Sequence, residues 1–147
     1  MRIVVQRVKS SRLEANGKVV SEIGFGYNVF VGVLKEDAIE NVKKIARRIA
    51  TLRLFCDEDD KLTYNISQVN GEILLVSNFT LCDRKNVSGA RPDFSLSADK
   101  DTANSLYEEL KRILVEEYNI SVKMGVFAED MQIYTQLDGP INLVQEY

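Results

Sequence analysis

Apolar and polar positions change period several times along the chain, and each change predicts an element. Residues 2–8, "RIVVQRV", are rich in β-branched side chains and read as a strand. In "SRLEANGKVVSEIG" two short alternating segments flank Asn16-Gly17, a strong hairpin signal. Residues 27–34, "YNVFVGVL", form another apolar strand, and Gly24, Gly26 and Gly32 suggest a turn and a close backbone approach beside it. The period becomes helical in "EDAIENVKKIARRIATL". There Ile39, Val42, Ile45, Ala46 and Ile49 share a face, four basic residues lie off it, and Asp37 is a candidate N-cap. "LRLFCDEDDKL" reads as a short strand and an acidic turn.

Residues 73–81, "ILLVSNFTL", read as a central strand that changes character. Ile73 to Val76 are continuously apolar, as in a strand covered on both faces, and Ser77, Asn78 and Thr80 then gather around Phe79. "CDRKNVSGARPDFSLS" is a long polar connection of the kind that often carries function. A second helix spans about residues 99–118, with Ala103, Leu106, Leu110, Ile113 and Leu114 on one face. "SVKMGVF" and "MQIYTQ" read as strands, and "LDGPINLVQE" as the turn Asp138-Gly139-Pro140 followed by a last strand. There is no internal repeat or low-complexity tract. The expected fold is α+β (α/β-like): one domain over residues 1–147, with mostly antiparallel or mixed β-sheets and two main helices packed on part of the sheet.

Composition narrows the function. The formal charge is -3, so any nucleic-acid contact has to be local, and no global pull towards DNA or an anionic membrane is expected. No apolar run approaches the roughly eighteen residues of a membrane span, and the start does not have the make-up of a signal peptide, so the cytoplasm is the expected location. Cys56 and Cys82 fit no metal or redox spacing and are expected to stay thiols. The chain has no histidine, which excludes the common zinc sites and the Ser-His and Cys-His arrangements; neither a metal nor a cofactor is expected.

Each candidate for chemistry has a plainer reading beside it. Thr80 fits a strand end through β-propensity alone; as a nucleophile it needs a base, for which only lysines, carboxylates or the substrate are available. Gly139-Pro140 is a turn, or a cis-proline corner where backbone meets a ligand. Arg84, Lys85 and Arg91 are a solvated loop face, or hold the phosphates of a nucleic-acid end. The acidic run in residues 56–61, "CDEDDK", is a solvated turn, or a cation site without EF-hand spacing.

Taken in order, six segments resemble the D-aminoacyl-tRNA deacylase family, also called D-tyrosyl-tRNA deacylases. "MRIVVQRV" is similar to its "QRV" start and "LRLFCDEDDKL" to the segment after its first helix. "VSNFTL" resembles its "SQFTL" motif and "GARPDFSLSA" its G-R-P-x-F region. "GVFAEDM" and "LDGPIN" resemble the closing G-x-F-G-x-x-M and N-x-G-P-V-T motifs. The likeness spans essentially the whole chain. It implies a homodimer that hydrolyses the ester between a D-amino acid and the 3′ end of tRNA. By motif position, Ser77, Asn78, Phe79 and Thr80 would form one wall of the pocket. Gly139 and Pro140, joined by a cis peptide and supplied by the partner subunit, would reject L-amino acids. Arg7 would brace that turn, and Met131 would sit beside the pocket. Four residues depart from the pattern: Asn78 for Gln, Ala128 for Gly, Leu137 for Asn and Asn142 for Thr.

An aminoacyl ester is already activated, and the terminal ribose carries a 2′-hydroxyl able to position or activate water. The protein then has to supply orientation and oxyanion donors, for which the backbone N–H groups of Phe79 and Thr80 are the candidates. On this account glycyl-tRNA, with no side chain to reject, is also a substrate. The other readings are a small esterase or amidase using Thr80, and a non-catalytic aminoacyl-tRNA binder.

Overall fold

The structure is a computed structural model, and it describes residues 1–84 and 89–147. Among the described residues, eight strands and two main helices follow one another as β1 (Arg2–Ala15), β2 (Lys18–Ile23), β3 (Gly26–Gly32), α1 (Ile39–Thr51), β4 (Arg53–Cys56), β5 (Leu62–Asn65), β6 (Glu72–Ser77), α2 (Lys100–Glu116), β7 (Ser121–Met124) and β8 (Met131–Glu146). β4 and β5 form a small antiparallel ribbon, and the other six strands make one mixed sheet. The expected α+β fold, with mixed pairing and two helices, is the fold observed.

The long β1 organises the sheet. Along one edge it pairs antiparallel with β3 and then β2; along the other it pairs with β8 over most of its length. The β1–β2 hairpin turns at Asn16-Gly17, both at positive φ (52° and 72°), as this dipeptide in a two-residue turn requires. β3 and β6 run parallel, as do β6 and β7. Parallel pairing requires both faces of β6 to be covered, and its continuous apolar run meets that requirement. Ile73 and Leu75 face the main core beneath the two helices. Leu74 and Val76 join Val8, Leu13 and Ile23 in a second core on the opposite face. The helices present the stripes expected of them: Val42, Ile45, Ala46 and Ile49 from α1, and Leu110, Ile113 and Leu114 from α2. Tyr27 and Tyr107 are buried with them. Their hydroxyls donate to the carbonyls of Leu52 (3.2 Å) and Leu75 (2.6 Å), and burial pushes both phenol pKa values well up.

Three local expectations need correction. α1 is capped by Ala38, whose N–H donates to Asn41 Oδ1 at 3.0 Å. Asp37 instead receives the Leu34 N–H at 2.6 Å and the Met1 ammonium, so its carboxylate ties the turn before the helix to the start of β1. The region after Thr135 is not a turn followed by a separate strand: β8 runs through Gly139-Pro140 as one element, and its pairing with β1 is irregular there. Finally, the central strand does not continue to residue 81. It ends at Ser77, and Phe79–Cys82 form a 3-10 turn. Among the described residues no helix is long and apolar enough to cross a membrane.

Candidate active site

The end of β6 is shaped by its neighbour. Asn78 N–H makes a last bond to the Val31 carbonyl (2.8 Å), after which the chain folds into the 3-10 turn against β3. Gly32 permits that packing: a Cβ there would stand 2.9 Å from Leu81 Cβ and 3.1 Å from the Asn78 carbonyl oxygen. The turn is closed by the side chain of Asn78. Its Oδ1 accepts from the Thr80 N–H at 3.1 Å and from the Thr80 hydroxyl at 2.5 Å. An asparagine reaching the backbone two residues on is an Asx turn, a geometry set by its short side chain.

A cavity of about 710 Å³ opens beside this turn, within the size range of small-molecule sites. Ser77, Asn78 and Phe79 form part of its wall, and Met131 stands among the apolar residues lining it. Phe79 is 58% exposed and meets Phe94 edge-on, with ring centroids 5.2 Å apart. Other walls come from Phe30, Val31 and Val33 of β3 and its exit and from Phe127 and Ala128 before β8. Ala128 is at φ 60°, a left-handed conformation that a glycine adopts without penalty.

Thr80 does not line the cavity, and its hydroxyl is engaged with Asn78. Its backbone N–H is engaged as well, which corrects the expectation of two open donors. The Phe79 N–H, first in the turn, has no acceptor among the described residues. Among the described residues this wall therefore offers the Phe79 N–H as its open backbone donor.

Gly139, Pro140 and Arg7 form a second cluster that does not line the cavity of their own chain. The Gly139-Pro140 peptide is cis, with Gly139 at φ 122°. Arg7 is largely buried: its Nε lies 2.9 Å from Asp138 Oδ2 and its Nη1 donates to the Leu54 carbonyl at 2.6 Å, while its Nη2 would be 3.5 Å from a Cβ built at Gly139. The same ideal Cβ would be 2.9 Å from Ile141 N, so the turn has no room for a side chain.

Apart from Cys56, whose Sγ lies 4.0 Å from Arg7 Nη1, the described basic and acidic loop candidates take no part in either cluster. Arg84 and Arg91 are exposed and away from the cavity, and Lys85 lies outside the described residues. In the acidic run, Asp57 folds back on its own turn. It accepts from the Thr63 hydroxyl (2.6 Å) and from the N–H groups of Asp59 and Lys61 (both 3.0 Å). The Thr63 bond, with the backbone donors, holds its pKa below the usual carboxylate value, as expected for a local cap. Among the described residues no group of three or more His, Cys, Asp or Glu is placed to hold a metal ion. The sequence reading missed Phe127, the β3 wall and Lys100. The first two lack a signal before the chain is folded, whereas a lysine in the first turn of a helix is a readable anomaly.

A family model described as D-Tyr-tRNA(Tyr) deacylase matches residues 4–146. The chain belongs to this family. A D-aminoacyl-tRNA deacylase of Staphylococcus epidermidis is 46% identical over 147 residues, covering 99% of this chain and 95% of that relative. One from Sulfurihydrogenibium is 41% identical over 143 residues, with 96% and 94% covered. Among solved structures, one described as c-Myc DNA Unwinding Element Binding Protein has a TM-score of 0.93 at 34% identity, covering 100% of this chain and 99% of that one. A probable eukaryotic D-amino acid tRNA deacylase has a TM-score of 0.85 at 15% identity, with 98% and 97% covered, a likeness of fold alone. The deacylase family is thus the one that the six sequence segments resemble.

Proposed function

We propose that this chain is an enzyme that hydrolyses the ester joining a D-amino acid to the 3′ end of tRNA, releasing free amino acid and tRNA. The observation that carries this reading is the deacylase family match across residues 4–146. Beside it stands a cavity walled by the polar end of the central strand. Water adds to the ester carbonyl, and the resulting oxyanion is held by the Phe79 N–H. The bond to the ribose oxygen then breaks, and that oxygen takes up a proton. The vicinal 2′-hydroxyl of the substrate positions the water, so a chain without histidine needs no base of its own. Asn78 and Thr80 act as the frame: their paired bonds fix the turn that aims the donor.

Chiral rejection is assigned to the Gly139-Pro140 turn of a partner subunit in a homodimer. Two observations support action across an interface. The turn is exposed and lies outside the cavity of its own chain. Large apolar side chains flank it on the exposed side of β8, Leu137 at 44% and Val144 at 79% exposure. Backbone carbonyls of the turn would occupy the space that an L side chain needs, while a D side chain points away and its identity matters little. Glycyl-tRNA then passes as well. Such an enzyme works where tRNA is charged, in the cytoplasm, with Cys56 and Cys82 as the free thiols they are here.

The test is hydrolysis of matched D- and L-tyrosyl-tRNA by the purified protein. Rapid loss of the D ester with the L ester intact is expected. Equal loss of both refutes the selector, and loss of neither refutes the enzyme.

A further inference from the structure

Among the described residues, Lys100 is the one cation lining the cavity. It is the first residue of α2, exposed, and engaged in no hydrogen bond or ion pair among the described residues. Its position runs against helix electrostatics: cations are disfavoured in the first turn, where the dipole is positive. The adjacent carboxylate of Asp99 does not compensate it by pairing, since it caps the helix by accepting the Thr102 N–H at 3.0 Å. The other charged residues of the lining are Glu129 and Asp130, which would repel an anion from their side of the rim. A dianionic or monoanionic phosphate entering this cavity has one favourable place.

On the deacylase reading above, we propose that Lys100 binds the phosphate on the 5′ side of the terminal nucleoside of the substrate. It would thereby fix the direction from which the tRNA end enters the cavity. An ammonium suits this role because it acts as a point charge on a flexible stem, tolerant of a phosphodiester that arrives in more than one orientation. Away from Glu129 and Asp130 the remaining lining is largely apolar and takes the nucleoside and aminoacyl groups.

The test compares adenosine with adenosine 5′-monophosphate in titrations of the wild-type protein, Lys100→Ala and Lys100→Arg at low salt. An exposed charge-assisted contact corresponds to a preference for the monophosphate of roughly tenfold in the wild type. That ratio should fall to near one in Lys100→Ala, persist in Lys100→Arg, and shrink as salt is raised. In parallel, kcat/KM for D-tyrosyl-tRNA should drop about tenfold in Lys100→Ala, chiefly through KM, and recover in Lys100→Arg. Equal wild-type affinity for adenosine and its 5′-monophosphate, or a preference that survives in Lys100→Ala, overturns the proposal. Monophosphate preference lost in Lys100→Ala, in a protein that does not hydrolyse D-tyrosyl-tRNA, supports the phosphate site and overturns the deacylase reading alone.

Discussion

Asn78 is the residue at which the structure makes the sharpest demand. One side-chain oxygen closes the turn by accepting both the Thr80 N–H (3.1 Å) and the Thr80 hydroxyl (2.5 Å). Asn78→Ala deletes both bonds at a half-buried N-cap, a loss of about 1 kcal/mol. For a chain of this size that lowers Tm by roughly 2–4 °C. The rate should suffer more than the fold. The Phe79 N–H remains but loses its frame, and a misplacement of about 1 Å in a catalytic group costs on the order of 10²-fold. Asn78→Asp separates the two effects. It keeps the acceptor and hence the cap, so Tm should hold. It also sets a negative charge beside the developing oxyanion, so kcat should fall by about 10² or more. Asn78→Gln, the residue of the family motif, is too long to close the same ring. It leaves the Thr80 N–H open as a second donor, and its kcat should equal or exceed that of the wild type. The assay is single-turnover deacylation of D-tyrosyl-tRNA alongside thermal unfolding. Wild-type kcat in both Asn78→Ala and Asn78→Asp would refute the single-donor frame.

Other predictions rest on separate features. On the proposed mechanism Thr80→Ala should keep activity within about tenfold of wild type, because its hydroxyl is engaged in closing the turn on Asn78; complete loss would restore the nucleophile reading. Gly139→Ala should unfold at lower temperature and lose discrimination against L-tyrosyl-tRNA, since its Cβ would stand 2.9 Å from Ile141 N at a φ of 122°. If the turn acts across a dimer, refolding Gly139→Ala together with Asn78→Asp in equal amounts should recover up to about a quarter of wild-type sites, and no recovery would place both clusters in one subunit. Ala128→Gly should raise stability by up to ~1 kcal/mol in denaturant titration, the left-handed penalty relieved less the added freedom of glycine when unfolded. Asp99 is held below the usual carboxylate pKa, first by the Thr102 N–H. Its contribution is therefore present above its unfolded value and lost as pH falls through the folded one. Asp99→Asn should flatten the acid limb of Tm against pH while leaving neutral pH little changed.

Much of the fold was legible because periodicity reports burial. Residues 73–76 are apolar without a break, and both faces of β6 prove to be covered, by two different cores. Asn16-Gly17 turned where the dipeptide must turn. What the pattern could not reveal lies where a side chain competes with the backbone. Ser77, Asn78, Phe79 and Thr80 continue a strand by propensity, yet the Asn78 amide captures the Thr80 N–H and bends the chain into a 3-10 turn. Asp37 fails as a cap for a similar reason, drawn instead to the Leu34 N–H and the Met1 ammonium.

The candidate site was legible as two motifs but not as their relation. Spacing in the sequence says nothing about whether Gly139 and Phe79 share a pocket. In the structure they do not: Phe79 lines the cavity, while Gly139 and Pro140 project from β8 elsewhere, held by Arg7 and Asp138. A turn built so rigidly, with no room for a Cβ and a largely buried guanidinium behind it, is excessive for an exposed corner that serves only its own strand. Rigidity of that kind has value where backbone atoms must exclude a competing shape by contact, since a compliant wall would yield to an L side chain instead of rejecting it. Among the described residues the cavity has no such turn in its own lining, and the turn stands outside that cavity. In the proposed homodimer a symmetric pair of chains would bring cavity and turn together, so the mixed-subunit experiment bears more directly on the mechanism than any single substitution.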